Sequence, residues 1–138
     1  MARILVVDDQ TCIQQFYQEE LSEEGYAVAV ADDLSQAMAQ IEACPPDVVV
    51  LDLFLRGSNG WEALDMIKKN NSHLPVIIST AYDSYIEDPR LEEAEGYIVK
   101  SFDVTELKEK ISETLMKQRQ EVYLLHSIRN TFAYSKVA

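Results

Sequence analysis

Short aliphatic runs alternate along the chain with stretches whose apolar positions recur every three or four residues. Residues 4–7, 27–31, 48–51, 76–79 and 97–99 are brief and continuously apolar or nearly so, as strands covered on both faces are. Between the first two, Ile13, Phe16, Tyr17 and Leu21 share one helical face before Gly25. Ala37, Met38 and Ile41 do the same within 35–43, and Pro45 and Pro46 stop that helix and launch the third strand. Trp61, Leu64 and Ile67 mark a helix that begins near Gly60. Val104, Leu107, Ile111 and Leu115 mark another, with Asp103 in place to cap it. Strands alternating with helices predict repeated βα units around a parallel sheet.

The polar residues that end these runs change the picture. The first run closes on Asp8 and Asp9, the third on Asp52, the fourth is followed by Thr80 and the fifth by Lys100. In an open α/β sheet the polar site lies beyond the carboxyl ends of the strands. Three carboxylates gathered there raise one another's pKa unless a cation neutralises them. Hard oxygen ligands that keep water attached suit Mg²⁺ better than a transition metal. Lys100 adds a mobile positive charge and Thr80 a hydroxyl donor. A phosphoryl group on one carboxylate, its oxygens clamped by Mg²⁺, satisfies every member of the set.

VVDD at 6–9, VLDLFLRGSNG at 50–60, STA at 79–81 and YIVK at 97–100 occur together in this order and spacing. On these motifs the chain, from about residue 3 to 116, resembles the receiver domains of two-component response regulators of the chemotaxis-regulator type. The resemblance implies a flavodoxin-like, doubly wound, five-stranded parallel sheet of order 2-1-3-4-5 with helices on both faces. It implies a receiver domain over 1–117 followed by a helical tail or linker fragment over 118–138. Asp52 then matches the phosphoacceptor, charged by a sensor histidine kinase or phosphotransfer protein. Asp9, Asp52 and the backbone carbonyl of Phe54 match Mg²⁺ ligands, and Asp8 acts largely through a bound water. Lys100 pairs with a phosphoryl oxygen, and the amides of Leu53 and Ala81 donate to others. Thr80 and Tyr97 match the switch pair, the alternative for Tyr97 being a half-buried sheet-edge tyrosine with no such role. A downstream effector domain or protein is the implied target, and the chain catalyses only its own phosphorylation and dephosphorylation.

Several positions depart from the family pattern. Ser101 follows Lys100 where the family has proline joined by a cis bond; a cis bond before a non-proline residue costs about 2.5–4 kcal/mol, so a trans link is open and with it the aim of Lys100. Arg56 replaces another proline, either as a solvated side chain or one that meets an acidic partner. Pro89 falls where the fourth helix would run, which predicts a short or displaced helix starting near it, with a mobile loop over 82–88 and an altered output surface. Phe54 and Tyr82 stand two residues beyond Asp52 and Thr80, flanking the path of the hydrolytic water, and predict slow self-dephosphorylation.

Composition narrows the function classes. A chain of 138 residues, 47% hydrophobic and 26% charged, is one domain able to bury a core. A formal charge of -12 argues against nucleic-acid binding, which needs clustered Lys and Arg. Glu19, Glu20, Glu23 and Glu24, and Glu92, Glu93 and Glu95, read as solvated helix surface. No signal peptide or membrane span is visible, so a cytoplasmic location is expected, with Cys12 and Cys44 as reduced thiols. In the tail, Val122, Leu125, Ile128 and Phe132 recur at near-helical spacing beside Leu124. That stretch is either a linker cut from a larger regulator or an amphipathic helix that pairs with a partner groove or a second copy, making a homodimer. Two other classes use part of the site. An aspartate-nucleophile phosphatase would place a second acid where Phe54 stands, and a phosphorylation-independent scaffold would tolerate Ser101 and Pro89.

Overall fold

A computed structural model of the chain describes residues 1–137, with side chains as far as Thr131; the Phe132 side chain lies outside the described residues. Five parallel strands, β1 (Arg3–Val7), β2 (Ala27–Ala31), β3 (Val48–Leu51), β6 (Val76–Thr80) and β7 (Gly96–Val99), form one sheet in the order β2-β1-β3-β6-β7. Counting only these strands, this is the expected 2-1-3-4-5 order. Residues alternate between the two faces with the period of two that strands impose. Leu5, Val7, Val49, Leu51, Val76 and Ile78 pack against α2 (Leu34–Ala43) and α3 (Gly60–Asn70). Ile4, Val6, Val48, Val50, Ile77 and Ile98 pack against α1 (Thr11–Glu23) and the first turns of α4 (Thr105–Val137).

Local chemistry sets most of the helix starts. Asp33 caps α2 by accepting the Gln36 N–H, Asn59 caps α3 by accepting those of Trp61 and Glu62, and the Asp103 carboxylate accepts the Thr105 N–H.

Four features refine or depart from the expected plan. Between β3 and α3 the chain makes a small antiparallel hairpin, β4 (Phe54–Leu55) with β5 (Ser58–Asn59), turned at Gly57, whose φ of +76° suits a residue without a Cβ. The crossover from β6 to β7 holds a 3₁₀ turn, Pro89–Glu93, instead of an α-helix; it starts at the proline, as Pro89 predicts, and Asp88 caps it. Glu95 is not idle surface: its carboxylate accepts the Val76 N–H at 2.6 Å and pairs with Lys68 at 2.8 Å. The final helix is one element of 33 residues that runs through position 117 without a break. Met116, Val122, Leu124, Leu125 and Ile128 on it are exposed. Among the described residues no helix is long and apolar enough to cross a membrane.

Candidate functional site

The parallel register brings four of the predicted residues to one point. Asp8 directly follows β1, Asp52 follows β3 and Lys100 follows β7, while the Asp52 N–H donates to the Val7 carbonyl at 3.0 Å, locking the two acidic strand ends side by side. Oxygens of Asp8, Asp9 and Asp52 lie within 4.8 Å of one another. Asp8 and Asp52 are buried, and Asp9 is at the rim. The Lys100 ammonium bridges Asp8 Oδ2 at 2.6 Å and Asp52 Oδ2 at 3.0 Å. All peptide bonds among the described residues are trans, so a trans link to Ser101 still aims Lys100 into the pocket.

One ammonium against three carboxylates leaves the pocket short of positive charge. Burial pushes the Asp52 carboxyl above its ordinary value, against the opposing pull of Lys100 and of the Phe54 N–H, which donates to Asp52 Oδ1 at 3.2 Å. Burial works against the Lys100 charge too, but the hydrogen bonds and charges of Asp8 and Asp52 outweigh it and hold its pKa above the ordinary value. Asp9 Oδ2 accepts the Arg56 N–H at 2.9 Å, with the guanidinium only 3.9 Å away and largely solvated. Arg56 thus meets an acid of its own chain.

Thr80 ends β6. Its carbonyl accepts the Lys100 N–H at 2.7 Å, whereas its hydroxyl is fully buried with no hydrogen-bond partner. Such an orphan calls for an explanation, because a buried hydroxyl without a partner is destabilising. Tyr97 pairs in register with Ile78, two residues before Thr80, and therefore shares a sheet face with Thr80. The Tyr97 ring is half-buried and its hydroxyl donates to the Tyr82 carbonyl. Leu53, beside Asp52, is buried, and Ala81, beside Thr80, is exposed at the mouth.

Phe54 and Tyr82, singled out from the sequence, prove to be part of a larger aromatic cluster that the sequence did not show. Phe54, 47% exposed, meets Tyr82 edge-on at 5.0 Å and Tyr85 at 5.8 Å; Tyr85 meets Trp61 at 6.1 Å, and the Arg90 guanidinium lies 4.1 Å above the Trp61 ring. This cluster ties the 82–88 segment, expected to be loose, to the hairpin that follows Asp52. An added Cβ on Gly60 would fall within 2.6 Å of the Asp52 carbonyl oxygen and closer still to the Leu53 Cα. The sequence named Phe54, Tyr82 and Gly60 one by one but not these contacts.

The family model of the response regulator receiver domain matches residues 4–112, and the chain belongs to that family. Response regulator ArlR of Staphylococcus saprophyticus is 33% identical over 88% of this chain and 56% of its own length. Sensory transduction protein LytT of Bacillus cereus is 28% identical over 95% of this chain and 54% of its own. The chain spans about half the length of these relatives. Among solved structures, response regulator protein TrrA of Thermotoga maritima, in complex with Mg(2+)-BeF, superposes with a TM-score of 0.80 at 39% identity, covering 83% of this chain and all of that one. TrrA in complex with the histidine kinase ThkA gives 0.79 at the same identity, covering 83% and 99%.

Proposed function

We propose that this chain is a phosphoacceptor whose Asp52 takes a phosphoryl group from a sensor histidine kinase or phosphotransfer protein. The observation that carries this reading is the buried Asp52 carboxylate, 3.0 Å from Lys100 and clustered with Asp8 and Asp9. The donor set fits Mg²⁺: all oxygen, tightly grouped and with too little positive charge of its own. Asp9, Asp52 and the Phe54 carbonyl would hold the ion directly, and Asp8 through water. When bound, the ion neutralises charge on the phosphoryl oxygens.

Asp52 forms the new bond to phosphorus as the bond to the donor nitrogen breaks, giving an aspartyl phosphate. Little covalent work falls to the protein, so positioning and charge neutralisation dominate. Lys100 exchanges its contact with Asp52 for a phosphoryl oxygen. The amides of Leu53 and Ala81 donate to the same group, as does the Thr80 hydroxyl, which gains the partner it lacks. Once Thr80 turns, Tyr97 exchanges its bond to Tyr82 for the vacated space, and the surface over 82–99 changes. The chain's chemistry is confined to its own phosphorylation and dephosphorylation, in the cytoplasm. The receiver ends near residue 117. The exposed part of α4 leads to an effector, and a second copy is the other occupant of that face; light scattering of the intact chain separates the two.

The decisive experiment is intact mass after incubation with Mg²⁺ and acetyl phosphate, native against Asp52→Ala. One phosphoryl adduct that needs both Mg²⁺ and Asp52 is expected. No adduct from acetyl phosphate or any sensor kinase tried would overturn the reading.

A further inference from the structure

The inward face of α1 carries two buried polar side chains one turn apart, Gln14 and Tyr17. Gln14 Nε2 donates to the Asp8 carbonyl at 2.5 Å and to Asp32 Oδ1 at 2.6 Å. The Tyr17 hydroxyl, on a residue only 3% exposed, is bonded to Ser79 Oγ at 2.8 Å, inside the cluster of Ile4, Val6, Val50, Ile77 and Ile98. Core packing alone does not require this pair, since two apolar groups of the same shape would bury there at no hydrogen-bonding cost. Its location is more telling. Ser79 immediately precedes Thr80, pairs in register with Ile98, and so lies beside the strand end whose backbone receives Lys100. The pocket charges reach the Tyr17 hydroxyl: burial pushes its pKa up, the Ser79 hydrogen bond and the Lys100 charge oppose this, and Asp8 and Asp52 reinforce it.

One helix is therefore bonded at one turn to the acidic strand end and at the next to the Thr80 strand end. The hydroxyl next door, on Thr80, has no partner. We propose that Tyr17 is a positioning residue: through Ser79 Oγ it fixes the carboxyl end of β6 relative to the acidic pocket. The Thr80 side chain and the Lys100 ammonium then meet an incoming phosphoryl group without displacement of the strand. This rests on the phosphoacceptor reading, and it assigns the braced strand and the free hydroxyl to neighbouring residues of one β-strand.

The test measures the phosphorylation rate at saturating acetyl phosphate and Mg²⁺, followed by intact mass, for native chain, Tyr17→Phe, Ser79→Ala, the double variant and Ser79→Thr. Mg²⁺ affinity is followed in parallel by the emission of Trp61, the one tryptophan. Each single loss of a hydroxyl is expected to slow the reaction about fivefold, with Mg²⁺ affinity held within about twofold, and the double variant to be no slower than either single, as for two groups acting as one unit. Ser79→Thr, which keeps the hydroxyl, reacts at the native rate. A Tyr17→Phe rate within about twofold of native, or single effects that multiply in the double variant, would overturn the brace while leaving the phosphoacceptor reading intact. A native chain that takes no phosphoryl group at all overturns both.

Discussion

Two chain crossings flank β6, and they are built in opposite ways. The one that enters it, after Asp52, spends 11 residues on α3 and buries Gly60, Ala63, Leu64 and Ile67 against the sheet. The one that leaves it, after Thr80, has only the five-residue 3₁₀ turn Pro89–Glu93, none of which is fully buried. Leu91 of that turn, with Tyr85, Ala94 and Tyr97, covers the same sheet face incompletely. The first crossing is core that holds Asp52; the second is a thin cover whose contacts are aromatic edges and single hydrogen bonds. Segments with few buried apolar contacts open most easily, so the Asp52 pocket has a rigid side and a more easily opened side on neighbouring strands.

The comparison breaks most sharply at Gly60. A methyl there would collide with backbone at Asp52 and Leu53, which cannot give way as a flexible side chain can. Gly60→Ala should lose about 3 kcal/mol of stability in urea unfolding, the upper end of overpacking costs, and most of its phosphorylation rate. The equivalent cavity or crowding change in the second crossing should cost far less.

The strand ends were legible because polarity changes there abruptly, and a parallel register then converts chain position into proximity. Asp8, Asp9, Asp52 and Lys100 needed nothing more. Pro89 announced the short helical turn that starts at it through its absent N–H. Gly60 was readable as a helix start but not as a contact, since the close approach depends on the hairpin at 54–59, too short to leave a periodic signature. Tyr17 and Ser79 were equally silent: a tyrosine on an apolar face and a serine at a strand end each look ordinary, and only their meeting across the sheet is informative. The tail's near-helical spacing at Val122, Leu125 and Ile128 was legible as helix, but whether it extended the preceding helix or formed another was not, because beyond Leu115 the domain supplies no surface to fix the register; α4 runs through without a break.

Where the two crossings touch, Phe54 and Tyr82 stack edge to face beside Asp52. If that contact screens the acyl phosphate from water, Phe54→Asn combined with Tyr82→Ala should shorten the phosphoryl lifetime about tenfold, or ~1.4 kcal/mol in barrier. Decay of the adduct by intact mass measures it, and an unchanged lifetime would remove any role for the contact in hydrolysis.

The rigid side also carries an electrostatic cost. Burial raises the Asp52 pKa in the folded chain, so the stability Asp52 contributes is fully present below its unfolded value, the ordinary 3.8, and is lost as pH rises through the higher folded value. Without Mg²⁺, Asp52→Asn should therefore stabilise the chain at pH 7 by about 1 kcal/mol, and the gain should shrink on acidification. Added Mg²⁺ should stabilise the native chain and do much less for the variant.

The smallest effect belongs to the second crossing. Arg90 lies over Trp61 and forms two side-chain hydrogen bonds to Asp88, at 3.0 and 2.7 Å, which with its backbone N–H hold that carboxyl down to about 2. These groups are in water, where such contacts are weak and partly replaced by solvent, so Arg90→Ala should leave the global unfolding midpoint unmoved. Its effect should be local: the stacked guanidinium is one of few ties between the 3₁₀ turn and α3, and amides over 82–88 should exchange about threefold faster once it is gone. A change in exchange without a change in midpoint is the signature of a cover that opens by itself. If exchange over 82–88 instead tracked global unfolding, the two crossings would be one cooperative unit, and the division of the site into a rigid and a mobile side would fail.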